Sequence, residues 1–298
     1  MRLRQRFVLA AAGLILAASV GATDAASPGA AMRATWRQPQ VPERIYGNTW
    51  YVGSRGLSAI LITSPKGHVL IDGTLAGNAP MIEANIRALG LRLRDVKLIL
   101  NTHAHGDHAG AIAALARDSG AEVVARSAQA RALREGGEDV DDPQHGDAPL
   151  FPAVKTVRVI GDEETVRVGP LAIQPHATPG HTPGSTSWTW TSCEGTRCRA
   201  LVYADSLTLL AAGNYRYTDP AHPERLGDFR RALAMLSALP CDILMTPHPE
   251  ASDLLKRLAS RDAGNRDALR DPQACKAYAR LGEQSMQQRV AAETAIAR

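Results

Sequence analysis

Three histidines and one aspartate fall within six residues, His103–His108, in the order His-Ala-His-Gly-Asp-His. The whole chain of 298 residues has only nine histidines, so a chance cluster in a polar surface loop is the weaker explanation. The cluster follows the apolar run 96–100, which predicts a buried parallel strand, and precedes residues 109–116, which predict a helix. Open α/β sheets place their sites at the carboxyl ends of such strands. Imidazole and carboxylate ligands suit zinc or a similar cation, so the motif predicts a metal site.

Residues 1–26 have the layout of a secretory signal peptide. Arg2, Arg4 and Arg6 form a basic start, an apolar run covers 7–20, and small residues follow up to residue 26. The apolar run is shorter than the roughly 20 residues that a membrane-spanning helix needs, although a retained anchor is the alternative. We therefore expect a periplasmic protein without membrane attachment after removal of the signal.

The expected mature chain, residues 27–298, is nearly balanced in charge. Removing the signal lowers Lys plus Arg from 34 to 31 and Asp plus Glu from 30 to 29, which leaves a net charge of +2. This balance, without a basic run that alternates with aromatic residues, argues against nucleic-acid binding. Length alone allows one large domain or two small ones. Because neither a low-complexity linker nor a fixed repeat divides the chain, we expect a single catalytic domain, and we expect it to be monomeric.

Predicted strands and helices are mixed along the whole mature chain, which indicates an α/β protein. A polar loop rich in Gly, Pro and Asp, residues 136–152, is long enough to form a wall of the site. Strands are predicted at 48–52, 58–63, 68–72, 96–100, 122–125, 156–160, 164–168, 171–176, 185–190, 200–204 and 242–245. Helices are predicted at 78–89, 109–117, 128–134 and 224–239, near 250–260, and at 272–296.

Two later histidines occupy settings similar to that of the first cluster. His181 lies in the turn Thr178–Gly184, between two predicted strands, and His248 directly follows the predicted strand 242–245. Prolines restrict the backbone in both turns, and glycines occur in the turn of His181. Taken alone, each would be read as a capping or loop histidine. Their shared position at strand ends makes metal ligation the better interpretation for both.

Four cysteines in an exported chain allow three disulfide pairings. Cys193 and Cys198 flank four residues between two predicted strands, so a bridge at the tip of a hairpin is the simplest choice. That choice leaves Cys241 to pair with Cys275. A cysteine metal site is the alternative, but the spacing is not Cys-x-x-Cys and the histidines already supply ligands.

The motif at 103–108 resembles the His-x-His-x-Asp-His motif of the metallo-β-lactamase superfamily. The likeness extends over nearly all of the mature chain, and the later motifs with both cysteine pairs resemble the third subclass of class B β-lactamases. These further motifs are Gly67–Gly73, Ala177–His181, Tyr203–Leu207 and Pro240–Leu244 followed by Pro247–Pro249.

The resemblance implies a four-layer αβ/βα sandwich with two zinc ions. One zinc ion would bind His103, His105 and His181, and the other would bind Asp107, His108 and His248. Ser206 falls where the first subclass has a cysteine ligand, which rules out a cysteine ligand here. Asp205 aligns with the bridging aspartate of the thioesterase and lactonase branch, and at this position the subclass assignment could fail.

Two zinc ions can lower the pKa of a bound water to roughly 7, so that zinc-bound hydroxide serves as the nucleophile. Asp107 is the expected catalytic residue, since it can bind metal and orient that hydroxide. Asp72, Thr102 and Asp205 are expected to support the ligands. Asp72 could accept the free N–H of a ligand histidine or, equally, cap the following turn.

Ser206 and Thr208 are the expected substrate-binding residues. In the resembling enzymes, hydroxyl groups at these positions bind the carboxylate of the substrate, and ordinary loop hydroxyls are the alternative. The leading functional hypothesis is a secreted di-zinc enzyme that opens the β-lactam ring of penicillins, cephalosporins and carbapenems, and so confers antibiotic resistance. A thioesterase or lactonase of the same superfamily is the enzyme alternative. A secreted zinc-binding protein without catalysis would explain the histidines but not Asp107.

Overall fold

The computed structural model describes residues 28–296, so the expected signal peptide lies outside the described residues. Strands and helices alternate along this part of the chain, as the sequence predicts. The strands are β1 Glu43–Tyr46, β2 Thr49–Tyr51, β3 Ile60–Ile62, β4 His68–Ile71, β5 Val96–Leu100, β6 Glu122–Arg126, β7 Val157–Ile160, β8 Val166–Val168, β9 Leu171–Ala177, β10 Thr186–Glu194, β11 Arg197–Tyr203 and β12 Ile243–Met245. The helices are α1 Pro28–Thr35, α2 Ala79–Ala88, α3 Ile112–Ser119, α4 Ser127–Arg134, α5 Glu224–Ala238, α6 Leu254–Asp262 and α7 Ala274–Ile296.

The strands form two sheets. The first sheet contains β1 to β7 in sequence order, with β1 to β4 antiparallel and β4 to β7 parallel. The second sheet has the order β12-β11-β10-β9-β8 and is antiparallel except for the pair β11 and β12. Each sheet therefore contains parallel strands whose carboxyl ends can meet at one edge.

Apolar side chains separate the structure into four layers. Residues of both sheets pack together in the central core, among them Ile71 of β4 and Trp188 of β10. The other face of the first sheet packs against α2, α3 and α4, and the other face of the second sheet packs against α5 and α7. Buried strands of this kind carry continuous apolar runs, as in β4 and β5. The expected α/β class and four-layer sandwich are confirmed.

The sequence analysis missed two elements, α1 and β1. Only Ile45 is buried in β1, which lies at the edge of the first sheet, so its sequence lacks a clear apolar alternation. The helix predicted from residue 109 begins at Ile112, because residues 108–111 form turns behind the metal motif. Among the described residues, no helix is both long enough and apolar enough to cross a membrane.

The structure contains both of the disulfides expected from the sequence. Cys193 and Cys198 lie opposite each other in the β10–β11 hairpin, five residues apart in the sequence. Cys241 and Cys275 are 34 residues apart, and their bond joins the chain just before β12 to the first turn of α7. The second bond therefore attaches the long C-terminal helix to the second sheet.

Removing the Cys241–Cys275 disulfide should destabilise the protein more than removing Cys193–Cys198. Loop-closure entropy gives about 4 kcal/mol for a loop of 34 residues and about 2 kcal/mol for a loop of five. Urea unfolding of the two double Cys→Ala variants, each compared with the parent protein, measures both losses. Equal losses, or a larger loss for the hairpin bond, would contradict the expectation, and mass mapping of free thiols provides the control for pairing.

Candidate metal centre

The metal motif, residues 103–108, forms a tight turn directly after β5. Two backbone hydrogen bonds hold its second half, from Ala109 N to His105 O at 2.7 Å and from Gly73 N to His108 O at 2.7 Å. Gly106 is required here because a Cβ atom would lie 2.8 Å from the carbonyl oxygen of Pro149. Since Pro149 belongs to the loop 136–152, this loop packs directly against the motif, as the sequence analysis expects for a wall of the site.

Asp72, at the end of β4, holds the residues that precede the motif. Its fully buried carboxylate accepts four hydrogen bonds. Oδ1 accepts from Asn101 Nδ2 and Thr102 N, both at 2.7 Å, and Oδ2 accepts from Thr102 Oγ1 at 2.9 Å and Tyr203 OH at 2.8 Å. Burial raises the pKa of Asp72 to about 6. Asp72 therefore acts on the backbone beside His103, and its hydrogen bonds do not reach a ligand histidine.

His103, His105 and His181 come together as the first group of candidate ligands. The ring centroids lie 4.6 Å apart for His103 and His181, 4.8 Å for His103 and His105, and 5.0 Å for His105 and His181. One nitrogen from each ring lies within 4.8 Å of the others, and all three side chains are buried. Three imidazoles that converge in this way match the ligand set of a catalytic zinc site.

Each of these three rings has one nitrogen engaged by an oxygen of the protein. Asp205 Oδ1 lies 2.7 Å from His103 Nδ1, and Asp142 Oδ2 lies 2.9 Å from His105 Nε2. The Thr208 carbonyl oxygen lies 2.8 Å from His181 Nδ1. Such partners fix the tautomer and the ring orientation of a ligand histidine. They leave His103 Nε2, His105 Nδ1 and His181 Nε2 free to bind one ion.

Asp107, His108 and His248 form the second group. His108 Nε2 lies 3.2 Å from His248 Nε2, and Asp107 Oδ2 lies 3.3 Å and 3.5 Å from these two nitrogens. His103 lies beside this group as well, with its ring centroid 4.4 Å from that of His108. The two groups are therefore neighbours. In the second group, one carboxylate and two imidazoles converge closely enough to bind a single ion.

The pKa shifts of His103, His181, His248 and Asp107 favour the forms that bind metal, whereas that of His108 opposes them. Burial, followed by repulsion from neighbouring imidazoles, lowers the pKa of His103 well below its usual value and lowers those of His181 and His248 to about 4. Burial alone would raise the pKa of Asp107, but the adjacent His108 and His248 hold it well below its ordinary value. Burial opposes protonation of His108, yet the Asp107 carboxylate raises the pKa of this ring. Neutral imidazoles and an ionised carboxylate are the forms that bind metal.

The donor set and its convergence fit zinc. Neutral imidazole nitrogens with one carboxylate suit a borderline cation, whereas calcium and magnesium prefer oxygen ligands. Three protein ligands in each group would also leave a coordination position for water or substrate. The structure thus brings the metal motif and the two later histidines together as candidate ligands.

The remaining predicted residues lie close to the two groups. Thr102 is bound to Asp72, and Asp205 is bound to His103. Thr208 contacts His181 through its hydroxyl group at 3.0 Å as well as through its carbonyl oxygen. Ser206 is buried next to Asp205.

Sequence analysis missed Asp142, the partner of His105. Sequence analysis predicts that its loop, residues 136–152, forms a wall of the site. The loop contains four aspartates, namely Asp139, Asp141, Asp142 and Asp147. Arg131 binds two of them, Asp139 at 2.9 Å and Asp141 at 2.8 Å. Nothing in the local sequence distinguishes the one that turns inward, so only the folded loop identifies Asp142.

Comparisons with known proteins agree with this geometry. A sequence model of the metallo-beta-lactamase superfamily matches residues 53–194. Rm3 metallo-beta-lactamase superimposes with a TM-score of 0.85 and 48% identity, covering 88% of this chain and 97% of that chain. MEM-A1, a subclass B3 metallo-beta-lactamase isolated from a soil metagenome library, superimposes with a TM-score of 0.84 and 47% identity, covering 87% and 99% of the two chains.

The chain belongs to the metallo-β-lactamase superfamily. The family, the enzyme class and the likeness to the third subclass, all expected from the sequence, are confirmed by these matches. A more distant relative within the superfamily is a hydroxyacylglutathione hydrolase of Anaeromyxobacter dehalogenans (strain 2CP-C), which is 36% identical over 124 residues. That alignment covers 41% of this chain and only 38% of the relative, so the likeness is confined to part of it.

Asp205 lies after β11, beside the first group of candidate ligands. Asp205 is fully buried, and its Oδ1 is engaged by His103. It is not a member of either group of converging ligand atoms among the described residues. Burial raises the pKa of Asp205. This environment suits a carboxylate that orients a ligand histidine.

Proposed function

We propose that the protein is an exported di-zinc β-lactamase that opens the ring of penicillins, cephalosporins and carbapenems. The observation that carries the proposal is the pair of neighbouring ligand groups, each with three side chains of the types that bind zinc. His103, His105 and His181 would hold one ion, and Asp107, His108 and His248 the other. The likeness to the subclass B3 enzyme over nearly its whole length supports the substrate class.

When bound, zinc supplies a water acidic enough to attack at neutral pH, together with positive charge for the carbonyl oxygen and the departing nitrogen. Asp107 would accept a hydrogen bond from the attacking water and orient it toward the amide carbon. Asp205, Asp142 and Thr208 O would hold the rings of His103, His105 and His181 through their second nitrogens. A C–O bond would form to the water oxygen, the amide C–N bond would break, and the nitrogen would take up the proton that the water loses.

The hydroxyl groups of Ser206 and Thr208 would bind the carboxylate of the substrate. Both residues follow β11 at the edge that carries Asp205, and Thr208 is exposed beside His181. Each such hydrogen bond contributes about 0.5–1.5 kcal/mol, and more where the carboxylate is desolvated. This interaction would orient the lactam ring over the ligand groups before the attack.

Export from the cytoplasm belongs to the same proposal. Two disulfides pair all four cysteines, and disulfides persist in oxidising compartments such as the periplasm. The signal-like residues 1–26 would be removed, which leaves residues 27–298 as a single catalytic domain that acts as a monomer on a small molecule. A thioesterase or lactonase is the second candidate, favoured by the partial likeness to the hydroxyacylglutathione hydrolase.

The purified protein should contain about two zinc ions per chain, since each ligand group has three donors and an open position. A chelator should abolish β-lactam hydrolysis, and added zinc should restore it. Magnesium is the control cation and should not restore activity, because it prefers oxygen ligands in octahedral geometry. Metal analysis that finds no zinc in active, folded protein would refute the di-zinc proposal.

Asp107→Asn should keep the fold but lower kcat by about 10²- to 10⁴-fold, since it removes a charged ligand and the acceptor that orients water. Steady-state kinetics at full zinc loading provides the measurement. Asp118→Asn makes the same change on the exposed surface and should have no effect on turnover. Near-normal turnover of the Asp107 variant with two zinc ions bound would contradict the proposed role.

Substitutions at residues 205 and 206 distinguish the two enzyme candidates. In a β-lactamase, Ser206→Ala should raise KM for β-lactams more than it lowers kcat, by about 0.5–1.5 kcal/mol, because the hydrogen bond exists in both ground and transition states. Asp205→Asn should retain two zinc ions, since an amide oxygen can still accept from His103 Nδ1. Loss of zinc from the Asp205 variant, with turnover of thioesters or lactones but not β-lactams, would favour the second candidate.

A further inference from the structure

Tyr217 connects the two backbone segments that surround His181. Its ring is buried, and its hydroxyl lies 2.9 Å from the carbonyl oxygen of Gly180 and 3.1 Å from that of Leu210. Gly180 directly precedes His181. Leu210 lies two residues after Thr208, whose carbonyl oxygen receives the His181 N–H. A single hydroxyl group therefore joins the turn that carries the histidine to the segment that orients its ring.

Gly180 is also confined from the opposite side. A Cβ atom at this position would lie 2.1 Å from Phe229 Cδ2 of α5, and the φ angle of Gly180 is +150°. The backbone thus packs directly onto an aromatic ring, while the Tyr217 hydroxyl holds its carbonyl oxygen. These contacts restrict the peptide bond between Gly180 and His181.

Glu293 on α7 fixes the backbone of Tyr217. This buried carboxylate accepts hydrogen bonds from Tyr217 N at 3.1 Å, from Thr218 N at 2.8 Å and from Thr218 Oγ1 at 2.8 Å. Arg216 also donates to the backbone oxygen of Glu293 at 2.7 Å. Both oxygens of the Glu293 side chain are therefore engaged by a two-residue stretch that contains no metal ligand.

The same face of α7 contacts the rest of this segment. Tyr278 OH donates to Asp205 O at 3.1 Å, Ser285 Oγ accepts from Leu209 N at 3.3 Å, and Arg289 Nε donates to Leu209 O at 2.9 Å. The disulfide at Cys275 anchors the first turn of the helix. Because α7 is anchored in this way, its contacts restrict the position of the loop from Asp205 to Thr218.

We propose that Tyr217 and Glu293 are positioning residues for His181. Glu293 holds the backbone of Tyr217, and the Tyr217 hydroxyl holds the peptide before His181 and the segment after Thr208. The inference rests on the proposed role of His181 as a zinc ligand. The proposal predicts that loss of these contacts weakens only the zinc ion that His181 binds. His105 and His248 lie in other segments of the chain and make no hydrogen bond to Tyr217 or Glu293 among the described residues.

Zinc titration in competition with a chromophoric chelator tests the inference without relying on catalysis. Tyr217→Phe removes only the hydroxyl group and should weaken the zinc ion bound by His103, His105 and His181 about 3- to 10-fold, the effect of one hydrogen bond. The zinc ion bound by Asp107, His108 and His248 should be unaffected. The variants His181→Ala and His248→Ala identify which binding step belongs to which group.

Tyr215→Phe is the matched control. Tyr215 packs edge-on against Tyr217, with 5.1 Å between ring centroids, but within residues 28–296 its hydroxyl makes no hydrogen bond to the protein. This substitution should leave both zinc affinities unchanged. Glu293→Gln tests the contact between Glu293 and the backbone of residues 217 and 218. The substitution replaces one of the two acceptor oxygens with an NH₂ group, which cannot accept from these N–H groups. Glu283→Gln, on the exposed side of the same helix, is its control.

Three outcomes would overturn the inference. If Tyr217→Phe binds both zinc ions like the parent protein, the hydroxyl does not position His181, and the proposed function is unaffected. If both zinc ions weaken equally, the change destabilises the fold in general. If the parent protein itself shows no binding step that depends on His181, the proposed metal centre fails as well. In support, Tyr217→Phe and Glu293→Gln combined should lose less than the product of the two separate effects, since they act through one chain of contacts.

Discussion

The candidate metal centre depends on the hydrogen bonds that Asp72 and the next two residues make to the turn that carries the histidines. Asp72 and Thr74 both adopt left-handed backbone angles, with φ of +67° and +56°, which non-glycine residues rarely adopt. Such conformations persist only where the surroundings enforce them. Here the Asp72 side chain binds Thr102, Gly73 N binds His108 O, and Thr74 forms a bridge with Ala109. The turn of residues 72–74, two of which are strained, thus holds both ends of the metal motif.

The two sheets then supply the remaining groups from strand ends that meet at one edge. His103 follows β5 in the first sheet, whereas His181, Asp205 and His248 follow β9, β11 and β12 in the second. Tyr203, at the end of β11, donates to Asp72 across the sandwich. The same carboxylate therefore sets the spacing between the sheets at the site and the position of the motif. Ligands separated by more than a hundred residues converge because this edge is shared.

The candidate ligands are recognisable in the sequence because they occupy turns with strong local signals. Apolar strands, Pro and Gly at the turns and metal-binding side chains coincide at His103, His181 and His248. The supporting contacts have no such signal. Asp142 is one of several aspartates in a polar loop, and Tyr217 and Glu293 are distant in sequence from the histidine that they support. Side-chain contacts between remote segments follow from packing, so local patterns do not identify them. Asp205, rather than Asp72, lies within hydrogen-bond distance of a candidate ligand histidine.

This arrangement concentrates buried polar groups at the edge where the apolar layers end. Asp72, Asp205, His103 and His108 are almost fully buried, and an unpaired buried polar group is unfavourable. His108 Nδ1, His248 Nδ1 and Asp205 Oδ2 have no hydrogen-bond partner among the described residues. The apolar layers and the two disulfides therefore offset the cost of burying these groups. A metal ion that binds only the folded state would add to the stability of the fold. The site is thus held together by its surroundings, and contacts as remote as those of α7 contribute to its geometry.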